Sequence, residues 1–546
     1  MFRWLTTLCF VLVLPVLAAA QLDSILITDA APEVGIVRNM RGNHVWSPDS
    51  ANFYLLTAFC FVENGDTLTI EPGTVIKGEP GQGADASALI VARGGHIIAD
   101  GTADRPIIFT AQSDDVDDPN DLPQNIRGLW GGLLVLGIAG TNVAGDSNSI
   151  EGIPTTEPRG IYGPGSSFVK DDNDNSGIVR YVSIRYGGSV IGLNNEINGL
   201  TLGAVGDGTT IEYVESFNNA DDGFEWFGGT VNTRYLVSAR NDDDGFDYDE
   251  GWRGKNQFWL ILMDSADGNS GGEHDGGTTP EDGTPYATPT ISNATYVGAG
   301  ATGLNAGNDW AVNLRDNAGG FYYNSIFTDF FGSGVQIEDL VSGQDSRQRL
   351  DDGHLKFEHN IFWAFGNGNA STDLWPQPFV ETYMTEGAND NDIVDPQITG
   401  MPSASRDPLA DFDPRPALGS PAASGAVIPV DLFFTSVSYK GAFEPGGVNW
   451  ALGWTALDFQ GYFAVGCLIA VAGDVNASGT ITSADIITLV NFVFKGGVAP
   501  SPCEANGDVN CSGSVTSADI ITMVNFVFKG GAAPCDICSD SPMSCP

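Results

Sequence analysis

Positive charge is what this sequence has least of. Its 24 Lys and Arg stand against 69 Asp and Glu, a formal net charge of −45 that becomes −46 if Arg3 leaves with a cleaved leader. A field of that sign repels nucleic acid and anionic membranes and draws divalent cations. It equally suits plain solubility or a saline habitat, so it selects no function alone. Long apolar runs are scarce too. Only Leu8–Leu17 is continuous; it follows one Arg and precedes Ala18-Ala19-Ala20, the pattern of a cleavable secretory signal over 1–20. Cys9 lies inside that run with no lipobox, so no lipid anchor is expected. No other run reaches the length of a membrane span. Between residues 52 and 361 there is no amphipathic helical period, which excludes alternating βαβ units. No P-loop, dinucleotide fingerprint, GxSxG elbow or zinc spacing is present. The expectation is an exported protein, extracellular or at the cell surface, with no nucleic-acid partner and no membrane insertion.

What the chain does have is glycine, 70 residues of it, and short β-type runs between Gly, Asn and Asp. Examples are Thr67–Ile70, Ala88–Ala92, His96–Ala99, Ile107–Thr110, Leu133–Leu136, Val179–Ile184, Thr210–Val214, Thr233–Val237 and Phe258–Leu262. A β-sandwich array and a parallel β-helix both fit. An internal echo favours the second: Asn219–Glu225 (NADDGFE) is answered 22 residues later by Asn241–Asp247 (NDDDGFD), a plausible length for one solenoid coil.

The segments Leu68–Gly78, Ala88–Ala111, Gly128–Gly137, Asp174–Gly188 and Glu196–Glu215 resemble a family of secreted bacterial right-handed parallel β-helix proteins, over about residues 45–465. Asp395-Pro396 and Asp413–Ala422 resemble the closing segment of such folds. DDGFD, Asp243–Asp247, is similar to a calcium-binding string of β-helix pectate lyases, in which calcium holds an acidic sugar while Lys or Arg removes a proton. That resemblance implies possible calcium ligands at Asp221, Asp222, Asp243, Asp244 and Asp247, and catalytic candidates Asp222, Asp244, Asp247, Arg253, Lys255 and Arg315. Carboxylates about 4.8 Å apart on adjacent coils repel and raise one another's pKa unless a cation intervenes. Structural calcium or ordered turns, carbohydrate binding and catalysis all stay open here. Gly272–Gly277 (GEHDGG) reads as an exposed polar loop in preference to an acid–base or metal site, because no second His has ligand spacing. Trp226, Phe227, Trp252, Phe258 and Trp259 are read as core before sugar platforms.

Near the C-terminus the chain repeats itself. Gly473–Gly497 and Gly507–Gly531 are offset by 34 residues and identical at 21 of 25 positions. Each opens with a twelve-residue loop of EF-hand spacing. The predicted ligands are Asp474, Asn476, Ser478, Thr480 (carbonyl), Thr482 and Asp485, then Asp508, Asn510, Ser512, Ser514 (carbonyl), Thr516 and Asp519. Gly479 and Gly513 take the sharp turn at position 6. One helix follows each loop, Ile486–Lys495 and Ile520–Lys529, apolar almost all round and so in need of cover. The pair resembles the type I dockerin family, which implies calcium as cofactor and a cohesin domain as partner, chosen through Ser483-Ala484 and Ser517-Ala518. The end of the β-helix is the other candidate cover. Ser at position 5, where dockerins usually carry Asp, leaves two carboxylates per loop and implies weak calcium binding. Cys503, Cys511, Cys535, Cys538 and Cys545 are expected to form two bridges rather than a redox or metal pair; Cys60 is expected to be buried, and it could meet Cys467 only if the ends of the domain touched.

The expected layout is a signal over 1–20, a β-helix over 21–445, its end and a linker over 446–471, a dockerin-like domain over 472–540 and a tail over 541–546. Three functions stay in play: a calcium-binding, non-catalytic protein presenting an acidic surface to polysaccharide, a calcium-dependent lyase or hydrolase delivered to a scaffold, and a structural or adhesion subunit.

Overall fold

The computed structural model describes residues 22–29, 37–192, 195–408, 410–464, 471–476, 478, 480–501 and 504–535. The expected signal, Gly479, Cys467, Cys503, Cys538, Cys545 and the tail lie outside the described residues. No helix among them is long and apolar enough to cross a membrane.

From Leu22 to Ile393 the chain winds as a parallel β-helix. One wall has nine strands in register: Phe59–Val62, Ala88–Val91, Leu133–Leu136, Leu200–Gly203, Phe224–Phe227, Phe246–Asp249, Gly272–Asp275, Trp310–Arg315 and Ser333–Ile337. A second, 19-stranded sheet supplies the rest of each coil. Its long strands Gly177–Arg185, Thr210–Phe217, Asn232–Ala239 and Lys255–Leu262 are bent, because Tyr181, Tyr213, Tyr235 and Phe258 each adopt left-handed φ of 48° to 64°. Pairing breaks at that residue and resumes beyond it, for instance Arg180 with Glu212 and then Val182 with Val214. The bend turns one strand into two walls.

Strand parity fills the interior. Trp226 stacks on Trp252 at 4.5 Å and on Trp259 at 5.2 Å, and all three are fully buried. Phe258 is buried in the same core, stacked on Tyr235, whereas Phe227 is buried in a separate apolar cluster beside Tyr162, so the reading as core holds for the other four of these aromatics. Each such pair contributes about 0.5–1.5 kcal/mol beyond the area it buries. The echo is one coil: Phe224 pairs with Phe246 and Glu225 with Asp247, and Asn219 N–H donates to Asn241 Oδ1 at 2.8 Å.

Two expectations fail here. Gly272–Asp275 is a strand of the nine-stranded wall, not an exposed loop, and its alternation turns Glu273 and Asp275 outward and His274 inward. His274 is fully buried, stacked on Tyr248 at 4.0 Å, and burial pushes its pKa down to about 3. Only glycine fits at 272, since a Cβ there would meet the His274 ring at 2.5 Å. Residues 417–464, which begin in the segment expected to close the solenoid, instead lie along the side of the bent sheet. Val427 N–H donates to Asn324, Thr435 N–H to Gln257, Gly441 N–H back to the Asn324 carbonyl and Ala456 N–H to Glu215, so the strap ties several coils together. Trp450 and Trp454 of this strap cover the stacked column Tyr181, Tyr213 and Tyr235. The DPRP segment contributes an antiparallel pair, Ile398–Gly400 with Asp413–Pro416.

The C-terminal repeat forms helices Ser483–Lys495 and Ser517–Lys529. Both start three residues before the expected position, because Thr482 with Asp485 and Thr516 with Asp519 form capping boxes. Left-handed Gly496 and Gly530 end them. Ile486, Leu489 and Met523 pack with Val475 and Val509 between the helices, which answers part of the need for cover. Cys511 and Cys535 are bridged, and Cys60 is a buried free thiol pushed up to about 12 by burial.

Candidate functional site

A ladder of turns precedes the nine-stranded wall and builds one edge of an open cleft. Asn198 Oδ1 accepts Asp222 N–H at 3.2 Å, Asp222 Oδ1 accepts Asp244 N–H at 2.8 Å, and Asp244 Oδ1 accepts Ser270 N–H at 2.5 Å. Each side chain thus secures the turn of the next coil. Outward positions of the wall add Glu225, Asp247 and Glu273 in one registered column. The cleft these groups line holds about 650 Å³, with Glu151, Glu196, Asp221 and Asp243 on its rim.

Two carboxylate triads stand out. Asp221, Asp222 and Asp243 each place an oxygen within 4.8 Å of the others, and so do Asp222, Glu225 and Asp247. Opposite ligands of one calcium ion at about 2.4 Å are about that far apart. Burial, then mutual repulsion, holds Asp222, Glu225 and Asp247 well above the ordinary carboxylate range. Asp221 is pushed up to about 8 by burial and by Glu151 and Asp243, and Glu151 to about 7, mainly by burial. Asp247 Oδ1 is shielded from solvent with no hydrogen-bond donor.

Of the residues named from the sequence, the cleft gathers Asp221, Asp222, Asp243, Asp244, Asp247 and Arg315. Among the described residues Arg315 is the one cationic side chain lining it, and Glu273 at 2.7 Å and Asp275 at 2.9 Å hold it as a charged guanidinium. Arg253 and Lys255 are elsewhere: Arg253 reaches Gly251 and Asp172, and Lys255 pairs with Asp431 at 2.7 Å on the strap side. Sequence reasoning missed Glu151, Glu196 and Asn198, which belong to other coils and carry no echo. It also missed a neighbouring cavity of about 800 Å³ that shares Glu151 and Glu225. There Tyr162 O–H and Asn148 Nδ2 both donate to the buried Glu250, and burial pushes Asp249 up to about 7.

In the C-terminal loops, Asp474, Asp485, Asp508 and Asp519 are buried, two per loop. Asp474 Oδ1 accepts Ser478 N–H at 3.0 Å, and Asp485 Oδ2 accepts Thr482 N–H at 2.7 Å. Ser478 Oγ donates to the Thr480 carbonyl at 3.1 Å, bringing the fifth and seventh positions together. The second loop repeats these contacts through Asp508, Ser512, Ser514, Thr516 and Asp519, with Gly513 at φ 88°. Asn510 Oδ1 is shielded there with no donor. Buried carboxylates, serine and carbonyl oxygens around an orphaned amide oxygen form a hard-oxygen donor set that fits calcium.

A family profile described as a pectate-lyase-like β-helix domain matches residues 42–392, and one described as a type I dockerin domain matches 472–528. The chain belongs to the pectate-lyase-like β-helix family. It carries a type I dockerin domain at its C-terminal side. No curated protein and no solved structure matches it. In the dockerin, Ser483, Ala484, Ser517 and Ala518 are exposed at the helix starts, and each continues into an apolar stripe: Ile487 and Phe494 are 61% and 66% exposed, and Ile521 and Phe528 the same.

Proposed function

We propose that this β-helix protein binds an acidic polysaccharide through divalent cations held in its carboxylate cleft, without cleaving it, and that the dockerin fastens it to an extracellular cohesin partner. The observation that carries the reading is the pair of carboxylate triads in an open cleft. Left unscreened they repel a uronate as strongly as they repel each other; with calcium between them, the same surface attracts one. Proton abstraction next to a carboxylate needs a free base. Arg315, the one cation lining the cleft among the described residues, is tied to two carboxylates and stays protonated, which favours binding over elimination. The dockerin stripes, apolar and rimmed by Ser and Ala, suit a flat protein partner.

A hydrolase is the second reading, because Glu151 at about 7 and Asp221 at about 8 are carboxyls able to donate a proton near neutrality. The test is a panel of uronic-acid polysaccharides incubated with the mature protein, with calcium or EDTA. Co-sedimentation in calcium with no absorbance rise near 235 nm and no new reducing ends is expected. Unsaturated product would establish a lyase, and reducing ends without it a hydrolase.

A further inference from the structure

Beyond the cleft, the nine-stranded wall is followed on three successive coils by turns that bring acids together. Glu281 lies in the loop after Gly272–Asp275, Asp316 directly follows Trp310–Arg315, and Glu338 directly follows Ser333–Ile337. One carboxylate oxygen from each lies within 4.8 Å of the other two. The arginines flanking them in the chain are engaged elsewhere: Arg315 with Glu273 and Asp275, and Arg347 with Asp339 at 2.8 Å.

The second observation is Asn317, only 1% exposed. Its Nδ2 donates to the Glu281 carbonyl at 3.3 Å and its backbone N–H faces the Glu338 carboxylate, so the residue is wedged between two members of the triad. Its Oδ1 is shielded from solvent and has no donor, and neither has Glu338 Oε2. A shielded oxygen with no donor costs about 1–3 kcal/mol unless something positive meets it. Here one such oxygen belongs to the triad itself and the other, Asn317 Oδ1, accompanies it.

We propose that Glu281, Asp316 and Glu338, with the Asn317 amide oxygen, bind a calcium ion that staples three consecutive coils. Calcium suits the set because it takes six to eight oxygens with flexible geometry, whereas magnesium demands near-octahedral order. Backbone carbonyls and water complete the shell. The staple has a consequence for the neighbouring cavity. The loop carrying Glu281 also carries Thr278, which lines that cavity and donates to Asp249 at 2.6 Å. Fixing Glu281 therefore fixes one wall of the cavity.

The test uses the full chain, titrated with calcium by equilibrium dialysis. Glu338→Gln is expected to bind about one calcium fewer per chain than the native protein and to be cut faster by protease within residues 276–285. An unchanged stoichiometry overturns the proposal. Should that variant not fold, Asn317→Asp decides, because its left-handed φ of 69° tolerates Asp. If its oxygen faces an ion, the added charge tightens calcium binding severalfold and raises Tm in calcium over EDTA. If the turn is only an acidic surface, it lowers Tm equally in both, which overturns the proposal.

Discussion

Replacing Asp221 by Asn should change stability in opposite directions with and without calcium. The ordinary carboxylate value of 3.8 is pushed up to about 8 at this residue, chiefly by burial and next by Glu151 and Asp243. A carboxyl whose folded pKa is raised binds more protons in the folded than in the unfolded chain. Stability is therefore lost as pH rises from the lower value to the higher, at about 1.4 kcal/mol per unit. At pH 7 the full penalty is about 4 kcal/mol, and about 2 kcal/mol remains after allowing for the solvent that reaches this half-buried group and for protons shared with its neighbours. Asp221→Asn removes that penalty, so in EDTA at pH 7 the variant should melt a few degrees above the native protein. On the proposed reading the native carboxylate is a ligand in millimolar calcium. A hundredfold loss of affinity in the variant subtracts about 2.7 kcal/mol of binding-linked stability at saturating ion, which outweighs the gain of about 2 kcal/mol and reverses the sign. Calorimetry of both proteins in both buffers reads the sign directly. A variant that shifts the same way in EDTA and in calcium refutes the claim that this carboxylate faces an ion.

Three further outcomes are expected. Because the dockerin presents equivalent exposed stripes at Ile487 and Ile521, Asp at either position should leave cohesin binding within about threefold, while both together should abolish it, losing more than about 3 kcal/mol by titration. Glu215 is fully buried, where it accepts Ser183 O–H at 2.6 Å and the Ala456 and Leu457 N–H groups; Glu215→Ala should destabilise by about 3–5 kcal/mol and expose residues 425–463 to protease. His274 titrates at about 3 in the fold against 6.5 ordinarily, so the unfolded chain binds the extra proton and stability falls as pH drops through that window; His274→Phe should melt closer to its pH 7 temperature at pH 4 than the native protein does.

The solenoid and the acidic ladder were legible because one coil repeats nearly the same heptapeptide, and stacking such segments places Glu225 against Asp247. The dockerin loops were legible because every predicted ligand is local in sequence. What stayed hidden depends on parity and on distant coils. A four-residue strand, GEHD, bounded by glycines looks like a polar loop until its neighbours fix which residues face in, and then His274 goes to the core. The strap was misplaced because nothing in its Gly- and Pro-rich composition says that its backbone N–H groups meet Asn324, Gln257 and Glu215 on the side of the helix. Arg253 and Lys255 lie a few residues from DDGFD in the chain, yet neither is among the residues lining the cleft. Glu281, Asp316 and Glu338 share no motif and meet only by coiling.

The most direct test is a calorimetric titration of saturated oligogalacturonate into the full chain, in calcium and in EDTA, with Asp222→Asn beside the native protein. Asp222 belongs to both triads of the cleft. The account predicts heat of binding for the native protein in calcium, none in EDTA, and at least tenfold weaker binding for the variant in calcium. Equal affinity in EDTA, or an unweakened variant, contradicts it.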